Sequence, residues 1–97
     1  MDAKTIKEII CSIMYIEVGE LNFNNHRPTS TVIYARMLFG HHFLMKCGNK
    51  HLVAKELNMC RTALLNYYLE KYDYAIELPD KVFINLDKQI KELIDAS

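Results

Sequence analysis

The sequence is poor in several features that mark particular classes of protein. Its three glycines are isolated, so it contains no phosphate-binding loop and no ATPase module. Its three cysteines, Cys11, Cys47 and Cys60, are odd in number and widely spaced, which argues against a disulfide framework and favours a reducing compartment. No apolar run approaches the roughly 18 residues that a membrane span requires, and residues 1–20 lack the continuous apolar centre of a signal peptide. We therefore expect a cytoplasmic protein.

The length and composition are those of one ordinary globular domain covering residues 1–97. Hydrophobic residues make up 51% of the chain and charged residues 25%, a balance typical of folded rather than disordered proteins. A chain of this length buries only about 60–65% of the surface that its unfolded form exposes. Nearly every large apolar residue is therefore needed in the core.

The net charge is zero, but the charges are unevenly distributed along the chain. Residues 1–25 carry a net charge of −2 and residues 73–97 a net charge of −3. Residues 26–72 carry seven Lys or Arg against two acidic residues, for a net charge of +5, and they also contain all four histidines. Such a basic block is typical of a surface that contacts nucleic acid, although Lys and Arg also serve simply to solvate an exposed face.

The apolar periodicity of the first half predicts two helices separated by a loop. The first helix begins at a capping box, Thr5 to Glu8, and Gly19 is its expected stop. Residues 22–29, rich in Asn and containing a proline, are expected to form a loop. A longer helix follows, apolar nearly all round and hence central, and its candidate caps are Thr29, Ser30 and Thr31.

The second half predicts three more helices. Gly48 and the asparagine after it end the long helix, and two short helices are expected at about 50–57 and 60–72. A turn over 73–79 is expected to end at Pro79, and a last amphipathic helix begins at about Asp80. With no strand pattern, the fold is predicted to be all-α with about five helices.

The two short helices meet the positional requirements of a helix-turn-helix. Counting Lys50 as the first of twenty residues, the fifth must be small because the second helix crosses over it, and it is Ala54. The ninth lies in the turn, often in a left-handed conformation in which Gly is favoured and Asn comes next, and it is Asn58. The residues expected to pack between the helices are all apolar: Val53, Leu57, Met59, Leu64 and Tyr67.

The outward face of the second short helix combines groups that read DNA bases with two leucines. The residues predicted to face outward are Cys60, Arg61, Thr62, Leu65, Asn66 and Leu69. Arg can bond guanine through two donors, Asn can pair with adenine, and a Thr methyl group can touch thymine. Leu65 and Leu69 offer no hydrogen bonds to bases. They contact thymine methyl groups, pack on the last helix, or mark a protein-binding face instead.

The order of these features resembles the C-terminal, duplex-DNA-binding domain of the bacterial replication initiator DnaA, a Trp-repressor-like helix-turn-helix fold. The likeness covers about residues 5–94. It includes "VGEL" as the turn after the first helix, "VIYARMLF" as the start of a long buried helix, and "HLVAKELN" as the first helix-turn-helix element. In the closing segment Asp80, Lys81 and Phe83 stand in the family's order. The resemblance implies a small DNA-binding domain.

The chain departs from that family at the positions that determine its DNA sequence. The family's recognition helix starts with Gly-Arg-Asp-His-(Ser/Thr)-Thr-Val, whereas this chain has "MCRTALL" from Met59 to Leu65 and lacks the Asp-His pair. The family's basic loop is represented only by His26 and Arg27. The DNA sequence recognised by the family is therefore not expected to carry over.

Other chemistry receives little support from the residue pattern. Five residues form a loose His/Cys group: His41, His42, Cys47, His51 and Cys60. The group lacks the two close pairs of a structural zinc site and shows no arrangement of a catalytic nucleophile. No metal, cofactor or enzymatic activity is therefore expected. Arg36, inside an apolar helix, is predicted to be partly buried and paired with a carboxylate. The tyrosines Tyr67, Tyr68, Tyr72 and Tyr74 could stack single-stranded bases, but their helical spacing favours core and rim packing.

Two functional hypotheses follow from the sequence. In the first, the chain is a stand-alone duplex-DNA-binding protein. Its phosphate contacts are Arg27, Lys50 and Lys55, and its base contacts are Arg61, Thr62 and Asn66. In the alternative, the same fold has lost DNA binding and serves as a protein-interaction module, with Leu65, Leu69 and nearby tyrosines as its contact surface.

Overall fold

A computed structural model describes residues 2–24, 26–78 and 80–97, which form five α-helices and one 3₁₀ helix and contain no strand. The prediction of an all-α fold with five helices is confirmed. The role predicted for Pro79 lies outside the described residues. In chain order the elements are α1 (Ala3–Met14), the 3₁₀ helix (Val18–Leu21), α2 (Ser30–Cys47), α3 (Lys50–Glu56), α4 (Thr62–Glu77) and α5 (Lys81–Ala96).

Helix α2 is the central element, as its apolar sequence predicted. It contacts each of the other helices and the 3₁₀ helix, and Phe39 and Phe43 stack in the core with ring centroids 5.3 Å apart. The helix begins where the Thr29 hydroxyl accepts a hydrogen bond from the Val32 N–H, and it ends at Gly48 in a left-handed conformation with φ of 65°. Both ends are therefore set by residues that the sequence identified.

The predicted ends of α1 were wrong because a stronger cap and an unexpected stop lie nearby. The Asp2 side chain accepts a hydrogen bond of 2.9 Å from the Thr5 N–H, so the helix starts before Thr5 rather than at it. The helix stops at Tyr15, which adopts a left-handed conformation with φ of 58°, and Gly19 lies inside the 3₁₀ helix instead.

The predicted end of α4 was also wrong, because the helix continues through 73–77. Its buried stripe includes Tyr72, and Ala75 packs against the core one turn later, so burial extends beyond residue 72. Helix α5 begins as predicted beside Asp80, whose carboxylate accepts from the Phe83 N–H at 3.1 Å. The start was also predicted two residues too early, because Cys60 and Arg61 precede α4 and Arg61 is its N-cap residue.

A polar cluster joins α2, α4 and α5 at one end of the core. One carboxylate oxygen of Asp87 accepts a hydrogen bond from the Tyr72 hydroxyl at 2.8 Å and lies 2.7 Å from His42 Nε2. His41 stacks on the Tyr72 ring with centroids 3.8 Å apart. Because polar groups at partly buried sites must be paired, this shared oxygen fixes the three helices relative to one another.

The stability of the protein is expected to fall as the pH is lowered through about 6.5, with His41 as one cause. Burial, together with the neighbouring His42 charge, lowers the pKa of His41 below its ordinary value of 6.5. The unfolded chain therefore takes up a proton at His41 before the folded protein does, which favours unfolding at acidic pH.

Urea unfolding at about pH 7.5 and about pH 5.5 measures this effect as a difference in the free energy of unfolding. His41→Phe retains a flat ring for stacking on Tyr72 and should show a smaller loss on acidification than the wild type. His26→Gln, at an exposed loop position, is the control and should lose as much stability as the wild type. Equal losses in the wild type and in His41→Phe would contradict the assignment.

Candidate nucleic-acid interface

The link between α3 and α4 has the backbone geometry predicted for a helix-turn-helix. Asn58 is left-handed, with φ of 57°, and its N–H donates to the Lys55 carbonyl at 3.0 Å. The Met59 N–H then donates to the Ala54 carbonyl at 2.8 Å, which closes the turn. Ala54 is buried, as expected for a small residue where the two helices meet. The left-handed conformation predicted for Asn58 is confirmed, and Ala54 is buried as its predicted role requires.

The packing between the two helices matches the prediction except at one tyrosine. The side chains of Val53, Leu57 and Met59 are buried, and Leu64 packs partly buried against the core. Tyr67 was also expected to pack there, but 53% of its surface is exposed. Because the buried stripe of α4 runs through residues 65, 68 and 72, Tyr67 lies on the exposed side of the helix.

The two leucines predicted to face outward from α4 lie against α2 instead. Leu65 is fully buried and Leu69 packs partly buried against the core. A Cβ atom added at Gly40 of α2 would lie 3.2 Å from Leu65 Cδ1 and 3.6 Å from Leu69 Cδ2. The outward orientation predicted for Leu65 and Leu69 was therefore wrong, because the absence of a side chain at Gly40 lets α4 approach α2 closely.

A cleft between α3 and the start of α4 collects three of the predicted DNA contacts. It has a volume of about 370 Å³, and Lys55, Arg61 and Thr62 line it together with His51. None of the described residues that line it is acidic. His51 was missed as a candidate, although it precedes Lys55 by four residues and so lies on the same face of α3.

The remaining predicted contacts on the two helices meet beside this cleft. Lys50 Nζ donates a hydrogen bond of 3.1 Å to Asn66 Oδ1. The acidic residue of α3, Glu56, is directed away from the cleft toward α1, where its carboxylate lies 3.7 Å from Lys7 Nζ. We call the surface formed by these residues the basic face: Lys50, His51, Lys55, Arg61, Thr62 and Asn66.

The loop that carries Arg27 is attached to the turn of the helix-turn-helix. The Phe23 N–H donates to the Leu57 carbonyl at 2.7 Å, and the Asn58 side-chain amide donates to the Phe23 carbonyl at 3.3 Å. Arg27 is exposed four residues further along this loop. The attachment places the start of the loop beside the turn.

Arg36 holds the preceding 3₁₀ helix in place, and its predicted pairing with a carboxylate was wrong. Its guanidinium group is buried and donates to backbone carbonyls at Leu21 (3.0 Å), Asn22 (2.8 Å) and Glu20 (3.4 Å). It also donates to the Tyr68 hydroxyl of α4 at 3.0 Å. One side chain therefore connects α2, α4 and the segment that leads into the Arg27 loop.

The histidines, cysteines and apolar helices bear on metal, redox and membrane chemistry. Among the described residues no three His, Cys, Asp or Glu side chains are grouped closely enough to hold a metal ion. The cysteines are free: Cys11 is buried, Cys47 is half-buried and Cys60 is exposed. Within residues 2–24, 26–78 and 80–97, no helix has the length and apolar character needed to cross a bilayer.

Comparisons with protein-family models, curated protein sequences and solved structures find no match to this chain. The resemblance to the DnaA C-terminal domain therefore stays a prediction. Support for a function comes from the geometry and charge of the basic face.

Proposed function

We propose that the protein binds duplex DNA through the basic face, in a purely binding and non-enzymatic role. The observation that carries the proposal is the cleft between α3 and α4, which brings Lys55, Arg61 and His51 together without an acidic side chain among its described lining residues. A concentration of cationic groups at the start of the second helix of a helix-turn-helix is the arrangement that contacts the DNA backbone and the major groove.

The basic face offers two kinds of contact. Lys50 and Lys55 place ammonium groups on the exposed side of α3, and Lys50 keeps two N–H donors besides the one bonded to Asn66. Such groups suit phosphate oxygens, and the exposed Arg27 offers the same kind of contact from the attached loop. Arg61 and Asn66 lie at the beginning of α4, where a recognition helix meets base edges. Thr62, partly buried beside them, can offer its methyl group to thymine.

The zero net charge of the chain does not oppose this proposal. At an ionic strength of about 0.1 M, exposed charges interact over only about 10 Å, so a phosphate group responds to the charges closest to it. Glu56 is paired with Lys7 on another side of the molecule. The nearest border of the basic face is formed instead by Glu70 and Asp73, which line a separate depression with Lys50 and Asn66.

A more specific form of the proposal is that the protein is a DNA-binding domain of the DnaA C-terminal type. It is supported by the order of the motifs in the sequence and by the helix-turn-helix following a long central helix. The segment from Met59 to Leu65 lacks the family's Asp-His pair. The proposed DNA site is therefore different from that of the family.

The alternative function is a protein-interaction module on the same fold, with Leu65 and Leu69 in its predicted contact surface. The structure removes Leu65 from that surface. Leu65 is fully buried and cannot contact a partner while α4 keeps its place. Exposed tyrosines remain available on α4, but they flank a different groove. Duplex binding is therefore the function that the described surface supports best.

Fluorescence anisotropy with a random-sequence duplex tests the proposal directly. If Arg27, Lys50 and Lys55 each neutralise one phosphate, log K should fall linearly with log salt with a slope of about −3. Binding that is absent at low ionic strength, or that is independent of salt, would refute the proposed function.

Cys60 provides a matched chemical control, because it is exposed in the same cleft as Lys55 and Arg61. In a Cys47→Ser background, iodoacetate attaches a carboxymethyl group to Cys60 and iodoacetamide attaches a neutral group of nearly equal size. The negative group should weaken duplex binding more than the neutral group, because it lies among the cations that contact phosphate. Equal effects would place the DNA contact elsewhere.

A further inference from the structure

A second surface, separated from the basic face by Glu70, exposes an apolar groove between α2 and α4. Its volume is about 490 Å³, and Tyr34 and Met37 of α2 line it together with Tyr67, Tyr74 and Leu78 from α4 and its end. Tyr67, Tyr74 and Leu78 expose 53%, 65% and 57% of their surfaces. Folding thus leaves large apolar side chains in contact with water along one continuous surface.

A protruding aromatic residue stands beside this groove. Tyr15 is 94% exposed, and it shares a smaller hollow with Tyr34 and Val82. Because Tyr34 also lines the groove, the hollow and the groove are adjacent. Val82, which is 65% exposed at the start of α5, adds apolar surface to the hollow.

The backbone of Tyr15 is held in a conformation that residues with a side chain avoid. Its φ of 58° lies in the left-handed region, where a Cβ atom is crowded against the backbone. Glycine or asparagine would be favoured at this stop of α1. The strain holds the Tyr15 ring in solvent rather than in the core of its own chain. Such a ring is available to contact another molecule.

We propose that this surface binds a second copy of the chain, with Tyr15 of each copy inserted into the groove of the other. A two-fold interface uses the same patch on both subunits, so the patch must carry both the protruding part and the cavity that receives it. Tyr15 and the groove meet that requirement, since both border Tyr34. We call this patch, made of Tyr15, Tyr34, Tyr67, Tyr74, Leu78 and Val82, the tyrosine face.

The charges around the groove are compatible with pairing to an identical surface. Glu70 and Asp80 line it, and so does Lys71, whose ammonium group lies 5.3 Å from the centre of the Tyr67 ring. Asp80 is engaged by the Tyr34 hydroxyl, which donates to its carboxylate at 2.5 Å. Because both signs are present, Lys71 of one copy can lie opposite Glu70 or Asp80 of the other.

The area available sets the expected strength of the dimer. A fully buried aromatic side chain contributes roughly 150–250 Å² of buried surface. The exposed parts of Tyr15, Tyr67 and Tyr74, together with Leu78, Val82 and the groove walls, therefore offer on the order of 500 Å² of contact area per copy. Two copies would bury about 1,000 Å², close to the lower limit of specific interfaces. We therefore expect a weak dimer that forms at micromolar or higher concentrations.

Sedimentation velocity of the whole chain without DNA, from about 1 μM to about 1 mM, tests the proposal. The wild type should shift from monomer to dimer over this range. Tyr15→Gly should abolish the shift while raising the melting temperature of the monomer, because glycine relieves the left-handed strain. This variant separates loss of the interface from loss of the fold.

Leu78→Glu, which places a charge in the groove, should also abolish the dimer. Met45→Glu is the matched control: Met45 is 73% exposed near the other end of α2, outside the tyrosine face, and the variant should dimerise like the wild type. A mixture of the Tyr15→Gly and Leu78→Glu chains should dimerise better than either alone. In the mixed pair, Tyr15 of one chain can still enter the intact groove of the other.

A wild type that remains monomeric to about 1 mM would overturn the proposal and assign the face to a different partner. Dimerisation unchanged in Tyr15→Gly would overturn it as well. Because no DNA is present in these measurements, their outcome is independent of whether the basic face binds duplex.

Discussion

Arg61→Ala is expected to weaken binding to a preferred duplex site by about 1–3 kcal/mol, or about 5- to 150-fold, and to affect random DNA far less. Arg61 is exposed at the start of α4, where its two-pronged guanidinium group can meet a guanine edge.

Lys55→Ala should behave differently, because a lysine on α3 contacts phosphate regardless of sequence. It should weaken binding to all duplexes about equally and flatten the slope of log K against log salt by about 1.

The measurement needs a preferred site, obtained by selection from a random duplex library, followed by anisotropy titrations at several salt concentrations. Lys88→Ala is the control, since Lys88 is exposed on α5 and belongs to neither face. If Arg61→Ala and Lys55→Ala lose no more affinity than Lys88→Ala, the basic face is only a solvated surface.

Arg36→Met is expected to lower the free energy of unfolding by about 3–5 kcal/mol, because several buried or partly buried acceptors lose their donor and each unpaired one costs about 1–3 kcal/mol. The methionine fills a similar volume but leaves three backbone carbonyls and the Tyr68 hydroxyl without their donor. Small domains have only about 5–15 kcal/mol in total, so a loss of this size is a large share of the stability.

Arg36→Lys distinguishes the hydrogen bonds from the charge. Lysine keeps the positive charge, but its single ammonium group cannot reach both the carbonyls of residues 20–22 and the Tyr68 hydroxyl. The loss in the free energy of unfolding should therefore remain large. Arg27→Met, at an exposed loop position, should change the free energy of unfolding by less than about 0.5 kcal/mol. Urea unfolding followed by circular dichroism compares the three variants. A loss below about 1 kcal/mol in Arg36→Met would contradict the assignment.

The turn of the helix-turn-helix could be predicted because local chemistry determines it. Asn58 tolerates a left-handed conformation better than most residues, and Ala54 is small enough for the helices to meet. These requirements involve residues close together in sequence. They are therefore visible without knowing which distant segment packs against them.

The orientation of α4 could not be predicted, because it depends on a contact between distant residues. Leu65 and Leu69 were assigned outward from the position of the helix-turn-helix alone. Their actual burial depends on Gly40, which lies 25 residues before Leu65 and 29 before Leu69 and allows the two helices to approach. A glycine within a regular helix was the available signal, since it costs helix stability and is retained where two backbones meet.

The hydrogen-bond acceptors of the Arg36 guanidinium group were mispredicted for a related reason. A buried guanidinium group suggests a carboxylate partner, but carbonyl groups at the end of a 3₁₀ helix satisfy its donors equally well. The segment over 20–22 has carbonyls without partners of its own, because its helix is a single short turn. Only the folded arrangement of the 3₁₀ helix against α2 brings these acceptors to Arg36.

The attachment of the segment over 20–23 affects how the protein opens. Arg36 holds the carbonyls of this segment, and the Phe23 N–H is bound to the Leu57 carbonyl. Separating the segment from the core would leave the guanidinium group without most of its acceptors, so local opening costs nearly as much as unfolding the domain. Although it lacks a regular helix or strand, this stretch belongs to the same cooperative unit as α2 and α4. Its amide protons should therefore exchange with solvent on the time scale of global unfolding.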